Sequence, residues 1–473
     1  MDRRTLIRGG LGIGAVAGLG VSAVPATAKD DRTDAQIYGV PTNDPLILQR
    51  ADPFITRPVG GTYYFTGSVP EYDRIVVRGA TTIAGLAAAT ESVVWRRPAT
   101  GTMAGHIWAP ELHRIDNRWY IYFAAGDSDD VFRIRTYVLE SSRADPTDPA
   151  GWTLRGKMIT EWEGFTLDAT TFAHRGRRYL LWAQSEPEIA VNTSLYIAPM
   201  ANPWTLAGKP TRIATPTRDW EIQGFKVNEG PAVLIRNGRV FVTFSASATD
   251  SRYAMGLLTA SDAADLLQHS SWTKSPQPVF MTNEQTRRYG PGHNSFTVAE
   301  DGVTDVLVYH ARYYRDISGD PLYDPNRHTR VQKVYWHEDG TPMFGIPVGE
   351  GGPIVRISPA DARRAFVRHA ADGSVGVPVA PRELADSQFR FVPGLAGAGT
   401  ESVQAVSRPD RYLRVVDGVV RVAAGTADPG RASFTRIKRS GGIALRLAAD
   451  PAVYLRHDRG ALVTGGASTF LLS

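Results

Sequence analysis

Five short stretches of the chain each set a polar side chain among small or apolar neighbours: Ala51-Asp52-Pro53-Phe54, Trp108-Ala109-Pro110-Glu111-Leu112, Leu167-Asp168-Ala169, Asn228-Glu229-Gly230-Pro231 and Gly292-His293-Asn294-Ser295-Phe296. Four carry a carboxylate and the fifth an imidazole, the groups of proton-transfer chemistry. A carboxylate on an apolar strand is costly to bury unless it is paired or hydrogen-bonded, so a converging set of them marks a site rather than a core. Taken singly, each is equally well explained by a turn or a solvent contact. The set gains weight from its phase, because each stretch lies just ahead of one copy of a repeat.

That repeat is a short aromatic-rich strand, usually introduced by Gly or Asn. The copies are Gly61-Thr62-Tyr63-Tyr64-Phe65, Asn117-Arg118-Trp119-Tyr120-Ile121-Tyr122, Gly176-Arg177-Arg178-Tyr179-Leu180-Leu181-Trp182, Gly238-Arg239-Val240-Phe241-Val242-Thr243-Phe244 and Thr304-Asp305-Val306-Leu307-Val308-Tyr309, with starts 56, 59, 62 and 66 residues apart. Each interval has room for about four strands and shows no long helical periodicity, which predicts an all-β, five-bladed β-propeller; a β-sandwich with coincidental spacing is the alternative. With the polar stretches as the innermost strands, their side chains converge on the central channel.

Bulk properties agree with a folded protein of two or three domains. The 473 residues are 42% hydrophobic and 21% charged, with 46 Gly, 31 Pro and no Cys. The formal charge of +5 comes from arginines scattered among acidic residues, which predicts a mixed solvated surface with no nucleic-acid footprint. Beyond the amino terminus nothing reads as a membrane segment, and the protein is expected to be a monomer. Arg3-Arg4 precede an apolar, Gly/Ala-rich stretch that ends at Ala26-Thr27-Ala28. This pattern is similar to a twin-arginine export signal over residues 1–28, so secretion is expected; the alternative is an amphipathic helix. The propeller is expected over residues 37–350.

Past residue 352 the period shortens. Ala365-Phe366-Val367-Arg368-His369, Arg411-Tyr412-Leu413-Arg414-Val415 and Val453-Tyr454-Leu455-Arg456-His457 are 46 and 42 residues apart, and each is followed by a segment bearing Phe389, Phe434 or Phe470. Three β-rich units of about forty residues predict a β-trefoil over 353–473.

The ordered set Arg50-Ala51-Asp52-Pro53-Phe54-Ile55, His106-Ile107-Trp108-Ala109-Pro110-Glu111, Thr166-Leu167-Asp168-Ala169, Asn228-Glu229-Gly230-Pro231, Gly290-Pro291-Gly292-His293-Asn294-Ser295-Phe296 and Arg327-His328-Thr329-Arg330-Val331-Gln332 resembles glycoside hydrolase family 43. The resemblance implies that Asp52 is the general base, Glu229 the general acid and Asp168 the carboxylate that tunes the acid, in an inverting reaction. It implies that Arg327 contacts sugar and acid; a surface salt bridge is the other reading, with Arg330 close enough to be confused with it. His293 matches a channel histidine that helps hold a hydrated cation, often calcium. Calcium prefers oxygen ligands, so a mostly water-coordinated calcium or sodium ion is expected, with none required for the chemistry. Trp108, Phe54, Trp162 and Phe165 are candidates for the apolar wall under a sugar ring, and equally for core packing.

The C-terminal segment resembles carbohydrate-binding module family 42, which implies an arabinofuranose pocket made by a His and an Asp in each lobe. The first repeat has both, His369 and Asp386; the second has Val415 and Arg431, and the third has His457 with Ala467 at the acidic position. One working pocket is therefore expected, with a purely structural cap as the alternative. Together the resemblances imply an exo-acting α-L-arabinofuranosidase on arabinan, arabinoxylan or arabino-oligosaccharides. An endo-arabinanase or a β-xylosidase is the neighbouring alternative, and a sugar-binding propeller without turnover is the non-enzymatic one.

Overall fold

The computed structural model describes residues 45–349 and 351–473, so the leader expected over 1–28 lies outside the described residues. They are β throughout apart from short 3-10 turns, and no helix among them is long and apolar enough to cross a membrane.

Five antiparallel sheets follow one another. The first blade runs Ala51–Ile55, Tyr63–Ser68, Arg74–Ala80 and Ser92–Arg96; the second Ile107–Ile115, Arg118–Ala125, Arg135–Ser141 and Trp152–Lys157. The third is Thr166–His174, Arg177–Gln184 and Ser194–Asn202, with Thr205–Leu206 and Thr211–Ala214 on its outer side; the fourth is Asn228–Arg236, Arg239–Ala246, Ala254–Ser261 and Thr273–Lys274. The fifth has three strands, Tyr289–Val298, Asp305–Arg312 and His328–Lys333. Its outer edge is met by Leu46 and Ile47, whose amides donate to the Thr329 carbonyl at 2.9 and 3.3 Å. From that bridge the chain passes directly into the first blade, which closes the ring.

The Gly or Asn that introduces most repeats has a backbone reason. Gly60-Gly61, Asp116-Asn117, Arg175-Gly176 and Asn237-Gly238 all hold positive φ at both positions, as a two-residue hairpin matched to strand twist requires. Between successive blades lie five apolar cores. Phe65 of the first blade packs with Val308 of the fifth, Ile75 with Ile121, Tyr122 with Trp182, Leu195 with Phe244, and Met255 with Tyr309. Each blade thus shares one core with each neighbour.

Besides a second break at Gly290 in the fifth, all five inner strands are broken at an equivalent position. The pairing with the second strand shifts register there, and the residue at the break has positive φ: Asp52 at 51°, Ala109 at 46°, Asp168 at 57°, Gly230 at 54° and His293 at 42°. Four of the five are not glycine, a conformation that bulky side chains seldom adopt and that clusters where a site over-determines the backbone. Such a bulge re-aims side chains, and here it turns both the bulged residue and, in several blades, the one before it toward the axis. This corrects the one-per-blade phase expected from sequence. The equivalent positions are Asp52, Ala109, Asp168, Gly230 and His293, with Glu229 one residue earlier. Glu111 lies two residues past the break and takes His113 Nε2 at 2.8 Å.

Under the fourth blade a buried charge network fixes the strand that carries Glu229. Glu221 accepts from Lys274 Nζ at 2.7 and 2.8 Å, from the Thr217 and Arg218 amides, and from Asn228 Nδ2 at 3.2 Å. After the short hairpin Tyr335–Trp336 and Pro342–Met343, the remaining chain forms the second unit. Seven of its strands pair in a closed ring: Glu401–Ala405, Arg408–Val416, Val419–Ala424, Ala461–Gly465, Tyr454–Asp458, Gly442–Leu447 and Phe434–Arg439, which pairs back to the first. The threefold repeat is carried in its core, where Val367, Leu413 and Leu455 meet Phe389, Phe434 and Phe470. The two units share the small apolar cluster of Tyr335, Met343 and Leu384.

Candidate active site

A cavity of about 600 Å³ opens over the inner strands. Asp52, Asp168, Glu229, His293, Trp108 and Arg327 all line it, joined by Phe132, Phe165, Phe225 and Tyr253. Residues far apart along the chain thus meet where the bulges point.

Each carboxylate has its own surroundings. Asp52 Oδ2 accepts from Ser68 Oγ at 2.6 Å, and Oδ1 lies 3.3 Å from Arg327 Nη1 and 3.4 Å from His293 Nδ1. Burial alone would raise its pKa, but the charge of Arg327, then that of His293 and the Ser68 hydrogen bond, outweigh burial and hold the carboxyl well below the usual range. Asp168 Oδ2 accepts from the Gly230 amide at 2.9 Å and lies 3.7 Å from His293 Nδ1. Burial, aided by the negative charge of Asp52 and opposed by His293, pushes Asp168 up to about 6. Glu229 accepts from Tyr253 Oη at 2.7 Å, and burial followed by repulsion from Asp168 pushes it up to about 8. Two carboxyl groups at one cavity are therefore driven to opposite protonation states: Asp52 is an anion and Glu229 an acid at neutral pH.

The cations are held as tightly. Arg327 is 6% exposed and its Nη2 donates to Tyr72 Oη at 2.9 Å, while Tyr72 donates to the Leu322 carbonyl at 2.5 Å. Arg330, which sequence alone could not separate from it, instead donates to the Ala311 carbonyl and stacks over Tyr313 at 4.6 Å, a structural part. Burial lowers the pKa of His293, but Asp168, Asp52 and Glu229 together overcome that and raise it. Gly230 lies close against His293: its φ is positive, and a Cβ there would stand 3.1 Å from the His293 ring, so the ring would have to give by a few tenths of an ångström. His310 is buried and driven well below its usual pKa by burial and then by Arg327, and its Nδ1 accepts from the Asp52 amide at 3.1 Å.

Some expected residues lie elsewhere. Phe54 does not line the cavity: its ring sits 4.9 Å from that of His113, in the core between the first and second blades. The bulge at Asp52 breaks the alternation that would have put residues 52 and 54 on one face. Trp162 packs on Tyr196 and donates to the Ser185 carbonyl. The Nδ1 of His293 faces two carboxylates, and among the described residues no group of three His, Asp or Glu stands where it could hold a metal ion. The described donor set thus does not fit a protein-caged divalent cation.

Sequence reading missed Ser68, Tyr72, Tyr253 and His310, which touch the named residues, and the exposed rings Phe132 and Phe225 at the rim. One wall of the cavity comes from Asp320, Pro321 and Leu322. That segment is pinned by Arg312, which is 1% exposed and donates to Asp324 and to the carbonyls of Thr249 and Pro321.

In the C-terminal unit His369 Nε2 lies 2.9 Å from Ser407 Oγ and 3.7 Å from Asp386 Oδ1, so the first repeat's pair does come together. In the second repeat Arg431 pairs with Asp428. In the third, His457 Nδ1 is 3.1 Å from Asp361, an acid that comes from a different part of the sequence.

The family model for glycosyl hydrolases family 43 matches residues 42–342, and that for the alpha-L-arabinofuranosidase B (ABFB) domain matches residues 355–468. An extracellular exo-alpha-(1->5)-L-arabinofuranosidase of Streptomyces avermitilis is 57% identical over 361 residues, spanning 76% of this chain and 75% of its own. Alpha-L-arabinofuranosidase 43 of Humicola insolens is 50% identical over 452 residues, spanning 90% and 94%. Among solved structures, an alpha-L-arabinofuranosidase from Lactobacillus brevis superposes with a TM-score of 0.64 at 54% identity, covering 66% of this chain and 98% of that one.

Titration of the site by carbon-13 NMR of labelled carboxyl groups checks the assignment of charges. Asp52 is expected to stay ionised at every pH at which the fold survives, and Glu229 to titrate near 8. Asp168→Asn removes an anion that raises Glu229, so the Glu229 midpoint moves down; a midpoint that stays or rises contradicts the assignment.

Proposed function

This chain belongs to glycosyl hydrolase family 43, and on that footing we propose that it releases terminal α-(1→5)-linked L-arabinofuranosyl units from arabinan or arabino-oligosaccharides with inversion at the anomeric carbon. The observation that carries the reading is that two carboxyl groups line one cavity in unlike surroundings, Asp52 3.3 Å from the Arg327 guanidinium and Glu229 with the Tyr253 phenol as its partner.

In the proposed mechanism Glu229 gives its proton to the glycosidic oxygen as the C1–O bond breaks. Asp52 takes a proton from a water whose oxygen forms the new bond to C1 from the opposite face. General acid catalysis of this kind contributes about 10² to 10⁴ in rate. Asp168 carries no bond-making role; its charge keeps Glu229 protonated. Arg327 binds the base and lines the cavity, where a guanidinium fork suits a pair of sugar hydroxyls. Trp108 and Phe165 supply apolar surface beside the carboxylates.

Exo action fits the wall made by Pro321 and Leu322. It is tied on one side by Arg312 and on the other by Tyr72, and a fixed wall beside the carboxylates suits a chain end. The Streptomyces relatives are named extracellular. With Arg3-Arg4 ahead of an apolar stretch, we propose secretion through a twin-arginine leader and action as a monomer. The His369 and Asp386 pair is proposed to hold an arabinofuranosyl unit and keep the enzyme on polysaccharide.

Digestion of linear α-1,5-arabinan is expected to yield arabinose alone from the first time points, read by anion-exchange chromatography; an early ladder of oligomers contradicts exo action. Asp386→Ala is expected to weaken retention on arabinan in affinity electrophoresis and leave hydrolysis of arabinotriose unchanged. Equal retention removes the pocket from the C-terminal unit.

A further inference from the structure

Glu229 has two carboxyl oxygens, and the proposed chemistry needs the proton on the one that faces the leaving group. Oε1 takes the hydrogen bond from Tyr253 Oη at 2.7 Å, whereas Oε2 has no hydrogen-bond partner among the described residues. Tyr253 itself is 1% exposed and its pKa is raised well above the usual phenol value, by burial and then by Glu229, so it stays a donor throughout.

The ring that carries this donor is clamped. On one face it stacks on His310, centroids 5.8 Å apart and planes within 4°. On another it lies against Gly292, where an added Cβ would collide with Cε1 and Cδ1 of Tyr253. Gly290 has positive φ and a Cβ there would strike the Asp250 carbonyl, in the turn whose oxygen accepts from the Tyr253 amide at 3.1 Å. The two glycines beside His293 thus shape the slot for this phenol. His310 in turn accepts from the amide of Asp52, so one stacked pair connects the backbone of the base to the side chain of the acid.

We propose that Tyr253 is the positioning residue of the general acid: by holding Oε1 as a hydrogen-bond acceptor, it confines the transferable proton to Oε2 and then stabilises the carboxylate left when that proton departs. The proposal rests on Glu229 being the acid. It adds a requirement that Asp168 does not meet, because Asp168 works through charge and leaves open which oxygen is protonated. A hydrogen bond to a charged partner is worth about ten- to a hundredfold in equilibrium or rate. Its contribution is largest for a poor leaving group and small for a phenol that departs without protonation.

Three proteins test this, wild type, Tyr253→Phe and Glu229→Ala, each assayed on α-1,5-arabinotriose and on 4-nitrophenyl α-L-arabinofuranoside. For Tyr253→Phe, kcat on arabinotriose is expected to fall by about ten- to a hundredfold with KM changed less than about twofold, and kcat on the nitrophenyl substrate by less than about threefold. The charged groups facing Glu229 are Asp168 of the third blade, Asp52 of the first and His293 of the fifth, and all three stay in the variant. Loss of the phenol donor therefore moves the upper limb of the kcat/KM pH profile upward. Replacing Tyr253 by 3-fluorotyrosine, a nearly isosteric and stronger donor, is expected to move the same limb downward. Opposite shifts from these two replacements do not arise from damaged folding. Equal losses on both substrates with an unmoved limb overturn the role of Tyr253 alone, provided Glu229→Ala still loses far more on arabinotriose than on the nitrophenyl substrate. Equal losses for Glu229→Ala on both overturn the acid assignment beneath it.

Discussion

A buried cavity cannot hold three carboxylate charges against two cations without one of them taking a proton. Asp52 and Asp168 stand against Arg327 and against His293, whose pKa the surrounding carboxyl groups raise. A third anion on Glu229 would be unpaired in a site of low polarity, so Glu229 keeps its proton to about 8. His310 does not upset this balance, because burial and the nearby guanidinium keep it neutral. The acid and the base are therefore distinguished by their neighbours and not by residue type, since all three are simple carboxyl groups.

The rest of the fold holds this small set of charges together. The five inter-blade cores set the ring, and a bulge at the same step of every inner strand turns selected residues to its axis. Asp52, Asp168 and His293 occupy equivalent positions in three blades, which explains why one imidazole can reach both carboxylates. In the fourth blade the equivalent position is Gly230, whose amide donates to Asp168 while the residue before it supplies the acid. Two further devices lie outside the cavity. The Lys274, Glu221 and Asn228 network anchors the strand of Glu229, and Arg312 anchors the wall made by Asp320, Pro321 and Leu322.

Much of this was legible in the sequence. The repeat announced five blades because each hairpin needs its turn residues, and the carboxylates stood out because they interrupt apolar strands. Phe54 was misplaced for a definable reason: a period of two puts residues 52 and 54 on one face, and a bulge between them is invisible to that rule. Glu111 shows the same fault in reverse, a carboxylate near the expected phase that the bulge leaves bound to His113. Tyr253 could not have been found, since Ser251-Arg252-Tyr253-Ala254 resembles any strand entrance and its partners are Glu229 on the inner strand of its own blade and His310 and Gly292 in the fifth. Gly290 and Gly292, two glycines within one strand, were the hint that something approached closely there. Asp361 is similar, because an acid nearly a hundred residues from His457 leaves no trace in a reading confined to one repeat.

The stereochemistry of the first product tests the central claim most directly. Proton NMR of α-1,5-arabinotriose hydrolysis, recorded before the released sugar equilibrates, is predicted to show β-arabinofuranose appearing first, the outcome of water activated by Asp52 on the face opposite the bond that Glu229 protonates. Initial release of the α anomer would mean that a side chain and not water attacks the sugar, and would contradict the division of labour between Asp52 and Glu229.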